Sequence, residues 1–260
     1  RALLGNLGGP QEGLLIAHVA GTKGKGSTSA MLASILRRGR RRVGLFTSPH
    51  LHTVRERICI DGAAIGHQQF AEAVTAVACS MDDRHCSPFA ALTAAAFWAF
   101  AAAGVEVAVV EVGLGGRLDP TNVVTPYVSV ITSLSYDHTA ALGNTLAQIA
   151  GEKAGIIKPG IPVLSAAQTE EAAAVVAARA QELGCSLESV GEDWRWTDVV
   201  ATETGQRFAL RGPERNMPVA DGTYTLPLLG EHQLENAALA LAAAEMAANV
   251  VAWVVINSTG

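Results

Sequence analysis

The chain has 260 residues, 49% hydrophobic, 17% charged and 5% aromatic, which excludes the disordered and fibrous classes. Its 19 Lys+Arg against 24 Asp+Glu give 19 − 24 = −5. That balance disfavours a basic nucleic-acid module and requires any phosphate site to be local. The 4 cysteines, Cys59, Cys79, Cys86 and Cys185, form no C-x-x-C pair, which excludes a zinc knot or small disulfide scaffold and fits a reducing cytoplasm.

Short β-branched runs alternate with longer Ala/Leu-rich stretches, the pattern of βαβ units stacked into a mainly parallel sheet. A strand is predicted at 14–21, a helix at 24–38 and a strand at 42–48, followed by a loop-like segment with a short strand at 57–60. Helices at 67–82 and 88–103 lead into a strand at 105–112. The uncharged run 86–105 reaches the length of a membrane span. However, Phe89, Thr93, Phe97 and Phe100 recur at helical spacing and Gly104 ends the run before VEVAVVEVG, which reads as a buried helix. No signal peptide is visible at the start.

The pattern continues with a strand at 127–132, a helix at 144–154, a strand at 161–165 and a helix at 169–183. From 186 to 229 the rhythm changes to strand-like pieces, 207–210 and 223–226, expected to form a small antiparallel appendage. A final helix is expected from Glu231 to about Ala247. The first residue is not Met and the last dozen form an uncharged run, so the sequence reads as a fragment. The predicted fold class is α/β, a mainly parallel sheet with helices on both faces plus the β appendage.

The strongest chemical signal is HVAGTKGKGSTSAML at 18–32, a strand, a glycine-rich turn and a helix. Glycines at 21, 24 and 26 let backbone N–H groups converge on a phosphate, the helix N-terminus adds partial positive charge, and Lys25 can reach the outer phosphates. Ser27 or Thr28 could offer a hydroxyl to Mg²⁺. The strict Walker pattern has Gly where Val19 stands, so this is a shortened variant. Glu111 closes its strand before GLGGRLDPTN, and His138 follows another strand in SYDHT. Ser48 ends the second strand. In an open parallel sheet the carboxyl ends of strands share one edge, so Glu111, Asp137, His138 and Ser48 should stand beside the phosphate turn as a hard-cation site. Singly, Glu111 could equally cap a helix and His138 could be structural. Lys153, near a helix end, reads on its own as a solvated charge favourable to the helix dipole.

GTKGKGS (21–27), TSPHL (47–51), RERICIDG (55–62), EVGLGGRLDPTNVV (111–124), SYDHTAALGNTLAQIAGEKAGIIKPG (135–160) and GEHQLENAALALAA (230–243) resemble, in the same order, the folylpolyglutamate synthases and dihydrofolate synthases of the Mur ligase superfamily. The resemblance runs from residue 14 to about 247. It implies ATP-dependent ligation of L-glutamate to dihydropteroate or a folate through an acyl phosphate. Thr22, Lys23, Gly24, Lys25, Gly26, Ser27 and Asn236 would then bind ATP, and Ser48, Glu111 and His138 would hold magnesium. Lys25, His138 and Lys153 would be catalytic, with Lys153 at the position carbamylated in the family. Ser87, Pro88, Phe89 and Ala90, with Leu118, Asp119 and Pro120, would form the pteroate surface. Pro120 stands where a small residue is more usual, and Lys23 where Asn is common.

On this resemblance residues 1–247 would be the ATP-binding central domain, with 186–229 as its β-rich appendage. Residues 248–260 match nothing in the family, and its second domain would be missing, leaving a poorly active piece. The implied protein is a cytoplasmic monomer acting on small molecules, with no nucleic-acid or membrane partner. Another Mur-type amide ligase and a non-catalytic nucleotide-binding module are the alternatives; TSPHL and GLGGRLD oppose the first, and the intact Lys25, Glu111, His138 and Lys153 oppose the second.

Overall fold

The computed structural model of the chain describes residues 1–81, 86–213 and 222–258, with side chains through residue 248. Five of the six residues of strand β1 (Leu15–Ala20) are fully buried, because the strand lies between neighbours in a sheet covered on both faces. Before it comes helix α1 (Ala2–Asn6). After it follow helix α2 (Lys25–Arg38), strands β2 (Val43–Phe46), β3 (Ile58–Ile60) and β4 (Ala63–Ala64), helices α3 (His67–Ser80) and α4 (Pro88–Ala102), and strand β5 (Val107–Glu111). Strand β6 (Val128–Ile131), helices α5 (Thr139–Leu142) and α6 (Leu146–Ala154), strand β7 (Val163–Ser165), helix α7 (Glu170–Glu182) and strand β8 (Leu187–Ser189) complete the βα rhythm.

These strands form one sheet in the order β4-β3-β2-β5-β1-β6-β7-β8. The six from β2 to β8 run parallel, and β3 and β4 add an antiparallel edge. The chain fills the β2 side of β1 first and then crosses to β6, so the sheet reverses its winding beside β1, where ligands of open α/β sheets settle. Side chains alternate across the sheet: Ala17 and Val19 pack with Leu32 and Leu36 of α2, whereas Ile16 faces Phe97 and Phe100 of α4, and Ala20 faces Ala150 and Ala154 of α6.

The uncharged run 86–105 is a buried helix, as its spacing predicts. Pro88 opens α4 and the Ser87 hydroxyl accepts the Ala90 N–H at 3.2 Å. A Cβ on Gly44 of β2 would stand 2.8 Å from the Phe100 ring, so α4 lies directly on the sheet there. No helix among the described residues is long and apolar enough to cross a membrane.

Three features differ from the sequence expectation. Residues 187–189, expected to open the appendage, form β8 and extend the main sheet in parallel with β7. The appendage is a three-stranded antiparallel sheet of β9 (Arg195–Thr202), β10 (Gly205–Arg211) and β11 (Gly222–Leu226). Its first strand escapes sequence reading because most of its residues are exposed, so no alternation marks it. The last helix, α8 (Glu231–Ser258), passes through the expected end at 247 without a break. Leu234, Ala238 and Ala242 of α8 share a core with α2, β6 and Phe208 of the appendage.

The loop after β5 is clamped to the end of α6. The Arg117 N–H donates to the Glu152 carbonyl at 2.8 Å, Arg117 Nη2 meets Glu152 Oε1 at 2.7 Å, and Asn122 Nδ2 donates to the carbonyls of Arg117 and Gly155 at 3.0 Å each. A Cβ on Gly116 would lie 2.8 Å from the Glu152 carbonyl oxygen and 2.9 Å from that of Lys153. Backbone cannot yield as a side chain does, so Gly116→Ala is expected to cost about 1–3 kcal/mol, read as a lower denaturant midpoint at unchanged slope. Gly151 has open space around its Cβ position in the same helix, so Gly151→Ala should instead stabilise by about 0.5–1 kcal/mol.

Candidate functional site

The turn after β1 is pinned before it can meet a ligand. The N–H groups of Thr22 and Lys23 both donate to the Ser133 carbonyl, at 3.0 and 3.1 Å, and Thr132 Oγ1 donates to the Lys23 carbonyl at 2.7 Å. Gly24 sits at φ 85°, in the left-handed region, with Asn236 packed where a side chain would project. The first backbone bond of α2 runs from Thr28 N–H to Gly24 O at 2.8 Å, so the N–H groups preceding Thr28 stand at the open, positive end of the helix. Thr22 and Lys23 thus spend their amides on the fold, which leaves those of residues 24–27 as the ones a ligand could meet. Thr28 Oγ1 is buried and donates to Asn236 Oδ1 at 3.3 Å. Of the two hydroxyl candidates, Ser27 remains at the turn's surface. Asn236, from α8, therefore braces the turn at Gly24 and Thr28.

Glu111 ends β5 opposite Val19, one strand from the turn. Its Oε2 accepts the Ser48 N–H at 3.0 Å, and both its oxygens lie 3.8 Å from the point where a Cβ of Gly26 would be. Burial pushes its pKa above the usual carboxylate value, while the Ser48 N–H and the Lys25 charge pull it back. Ser48 stands at the end of β2, before a cis bond to Pro49. His138 follows β6, with φ at 48° and an exposed ring; its N–H donates to Asp137 Oδ1 at 2.8 Å. Among the described residues no three His, Cys, Asp or Glu side chains cluster as a metal cage. One buried carboxylate, a hydroxyl and an exposed imidazole instead suit a hard cation that takes its other ligands from phosphate and water.

Lys153 is where the unaided sequence reading fails. It is 4% exposed, and its Nζ donates to the Gly21 carbonyl at 2.7 Å, inside the phosphate turn. Burial first, and the Lys25 charge second, lower its pKa to about 8, with Asp137 opposing. The missed signal is the apolar context KAGII after a helix with small residues, which buries the end of α6 instead of solvating it.

Lys25, Ser48 and His138 line one open cleft of about 630 Å³ with Ser87, Phe89, Leu118, Asp119 and Pro120. Pro88 lines a neighbouring apolar pocket of about 460 Å³ that shares Phe89, whereas Ala90 lines neither. Arg57 lines both and was not singled out by the sequence; its Nε donates to His50 Nδ1 at 2.9 Å. The cleft thus sets Lys25, from the N-terminus of α2, against a wall of mixed apolar and polar side chains, while Glu111 lies beside Gly26. Such a space can bring a triphosphate and an organic acid together.

Residues 19–244 match the family model of the Mur ligase middle domain. The chain is 38% identical over 258 residues to the folylpolyglutamate synthase of Lacticaseibacillus casei, covering 96% of this chain and 59% of that protein. It is 38% identical over 252 residues to the dihydrofolate synthase/folylpolyglutamate synthase of Bacillus subtilis, covering 94% and 58%. A solved complex of a folylpolyglutamate synthase with AMPPCP and folate superposes with a TM-score of 0.89 at 38% identity, covering 95% of this chain and 61% of that one. The chain thus spans about three-fifths of the length of these relatives. With most of its length matched, the chain belongs to the Mur ligase family, whose middle domain residues 19–244 form.

Proposed function

We propose that the chain is the nucleotide-binding part of an ATP-dependent ligase that joins L-glutamate to dihydropteroate, to a folate, or to both. The observation that carries this reading is the convergence on one cleft of Lys25, Ser48 and His138 with the Phe89 and Leu118–Pro120 wall, while Glu111 lies against Gly26 and Lys153 against Gly21. The similarity to folylpolyglutamate synthases, one of them solved with a nucleotide analogue and folate, supports the same choice.

Amide formation from a carboxylate and an amine in water needs activation. The substrate carboxylate attacks the γ-phosphorus of ATP, the bond to the β-phosphate oxygen breaks, and ADP leaves an acyl phosphate. The glutamate α-amine adds to the acyl carbon, gives up a proton, and the tetrahedral species expels inorganic phosphate. The amides of residues 24–27 and the Lys25 ammonium neutralise charge that grows on the transferring group. Glu111, Ser48 and His138 would hold Mg²⁺, which when bound supplies further charge neutralisation on the phosphates. The Leu118–Pro120 rim and Phe89 would place the pteroate acid so that its carboxylate faces the γ-phosphate. Asn236 acts by bracing Gly24 and Thr28.

Lys153 would contribute as a carbamate. Its neutral Nζ adds to the carbon of CO₂ and releases one proton, turning a buried cation into an anion while keeping one N–H for the Gly21 carbonyl. A pKa near 8 makes the neutral amine available far below the usual lysine range. The working state we infer is a cytoplasmic monomer with small-molecule substrates only, in keeping with free cysteines at 59, 79, 86 and 185.

In the whole protein that carries this chain, supplied with ATP, Mg²⁺ and glutamate, phosphate release should depend on dihydropteroate or tetrahydrofolate; release that depends on a muramyl nucleotide instead would overturn the reading. Lys153→Ala should lower the rate about 10- to 100-fold, with partial recovery in formate or acetate. With ¹³C-bicarbonate, a carbamate carbon signal should grow between pH 7 and pH 8.5, because the amine loses its proton through about 8, and should be missing from Lys153→Ala. An unaffected Lys153→Ala enzyme would remove the carbamate role.

A further inference from the structure

His18 lies on β1, three residues before the phosphate turn, with its ring fully buried. Its Nε2 is 2.9 Å from Thr121 Oγ1, and that hydroxyl is 2.5 Å from Asp119 Oδ1. Asp119 Oδ1 also accepts the Thr121 N–H at 2.9 Å, and Oδ2 accepts the Leu114 N–H at 2.9 Å. A carboxylate only accepts, so the Thr121 proton goes to Asp119 and the lone pair left on Oγ1 takes the N–H of His18. Only one tautomer does this, with the proton on Nε2. Its Nδ1 is then an acceptor, and that atom is buried with no hydrogen-bond partner among the described residues. A buried polar atom left unpaired is costly, so what the ring contributes lies at its other nitrogen. Burial, with the Lys158 charge second, lowers the His18 pKa to about 3, so the ring is neutral and the relay runs in one direction.

We propose that His18 is a positioning residue: through Thr121 it holds Asp119, and with it the Leu118–Pro120 rim, in register with the phosphate turn, and so sets the affinity for the pteroate or folate acid. The inference rests on the function proposed above. The physical reason is connectivity. The strand that ends in the phosphate turn also fixes the wall against which the acid lies, so the two substrates are referred to one rigid element. Leu118 is 79% exposed on that wall and is too lightly packed to hold the rim by itself. Asp119 spends both carboxylate oxygens on its own loop, so its part in binding is to shape the rim rather than to reach the ligand.

Three variants of the whole protein test this: His18→Leu, His18→Gln, which keeps a neutral N–H donor of similar reach, and Thr121→Val, which removes only the bridging hydroxyl. KM for dihydropteroate or tetrahydrofolate, whichever supports turnover, should rise about tenfold in His18→Leu and Thr121→Val, with kcat and KM for ATP within about twofold. His18→Gln should restore most of the loss. Amide exchange at Leu114, on the far side of Asp119, should quicken about tenfold in the two disrupting variants and not in His18→Gln. An unchanged acid KM in folded Thr121→Val, or equal losses in His18→Gln and His18→Leu, would overturn the proposal. If neither pteridine acid supports turnover in the unsubstituted protein, the functional reading fails, yet Leu114 exchange still decides the relay: unchanged protection in Thr121→Val rejects it.

Discussion

The contact between Lys153 Nζ and the Gly21 carbonyl, 2.7 Å long and buried, is the constraint on which the rest of the site depends. It ties the end of α6 to the end of β1 and places a second basic nitrogen beside Lys25. Burial first, and the Lys25 charge second, hold the Lys153 pKa below the usual lysine value. An anion bound between the two lysines would relieve that repulsion. On the proposed function a bound triphosphate would supply that charge, and so would a carbamate on Lys153 itself. Glu111, across the turn, shows the mirror condition: a buried carboxylate whose pKa is raised and which gains from a nearby cation. Burial thus lowers the pKa of the lysine and raises that of the carboxylate, and each would gain from an opposite charge nearby.

Holding these groups together requires backbones to approach more closely than side chains allow. Gly24 yields its space to Asn236, Gly116 lies on the carbonyls of Glu152 and Lys153, and a Cβ on Gly155 would stand 2.4 Å from Cβ of Arg117. The glycine-rich loop after β5 is thus less a binding loop than a docking surface for α6. It carries Leu118 and Asp119 on one side and receives the helix that delivers Lys153 on the other. One segment serves both walls of the cleft, which explains why chemistry and packing are inseparable there.

Much of the architecture could be read from the residues because β1, β5 and β6 are apolar runs that end at chemistry-bearing side chains, and because the turn at 21–27 has glycines where N–H groups must converge. The ends of parallel strands share an edge, so Glu111 and His138 could be placed beside Lys25 from topology alone. Lys153 could not, since a lysine at a helix end looks the same whether the helix ends in water or under a loop; only the docking by Gly116 and Arg117 distinguishes the two. The sequence resemblance implies a role for it where periodicity suggests none. Strand β9 was hidden for a different reason: it is held by pairing to β10, not by burial, so its residues carry no alternation. Nor could spacing reveal that Thr22 and Lys23 bond to Ser133, because backbone partners leave no trace in side-chain identity.

The narrowing of the anion-binding donors to residues 24–27 bears on how a shortened phosphate turn works. A full Walker loop wraps its phosphates with a longer arc of amides. Here the first part of the arc is committed to β6 through Ser133 and Thr132, so the turn is stiff but offers fewer donors. On the function proposed above, charge would have to be made up from side chains, and Lys25 stands at the turn to do it, with Glu111 placed to hold a cation. Stiffness then becomes the gain. On the proposed function, a turn pinned in this way would set the position of the γ-phosphate from the same strand whose His18 reaches Thr121. A transfer between two separately bound substrates depends on their relative placement to within a fraction of an ångström. Referring both to one buried strand is a direct way for a fold of this size to achieve it.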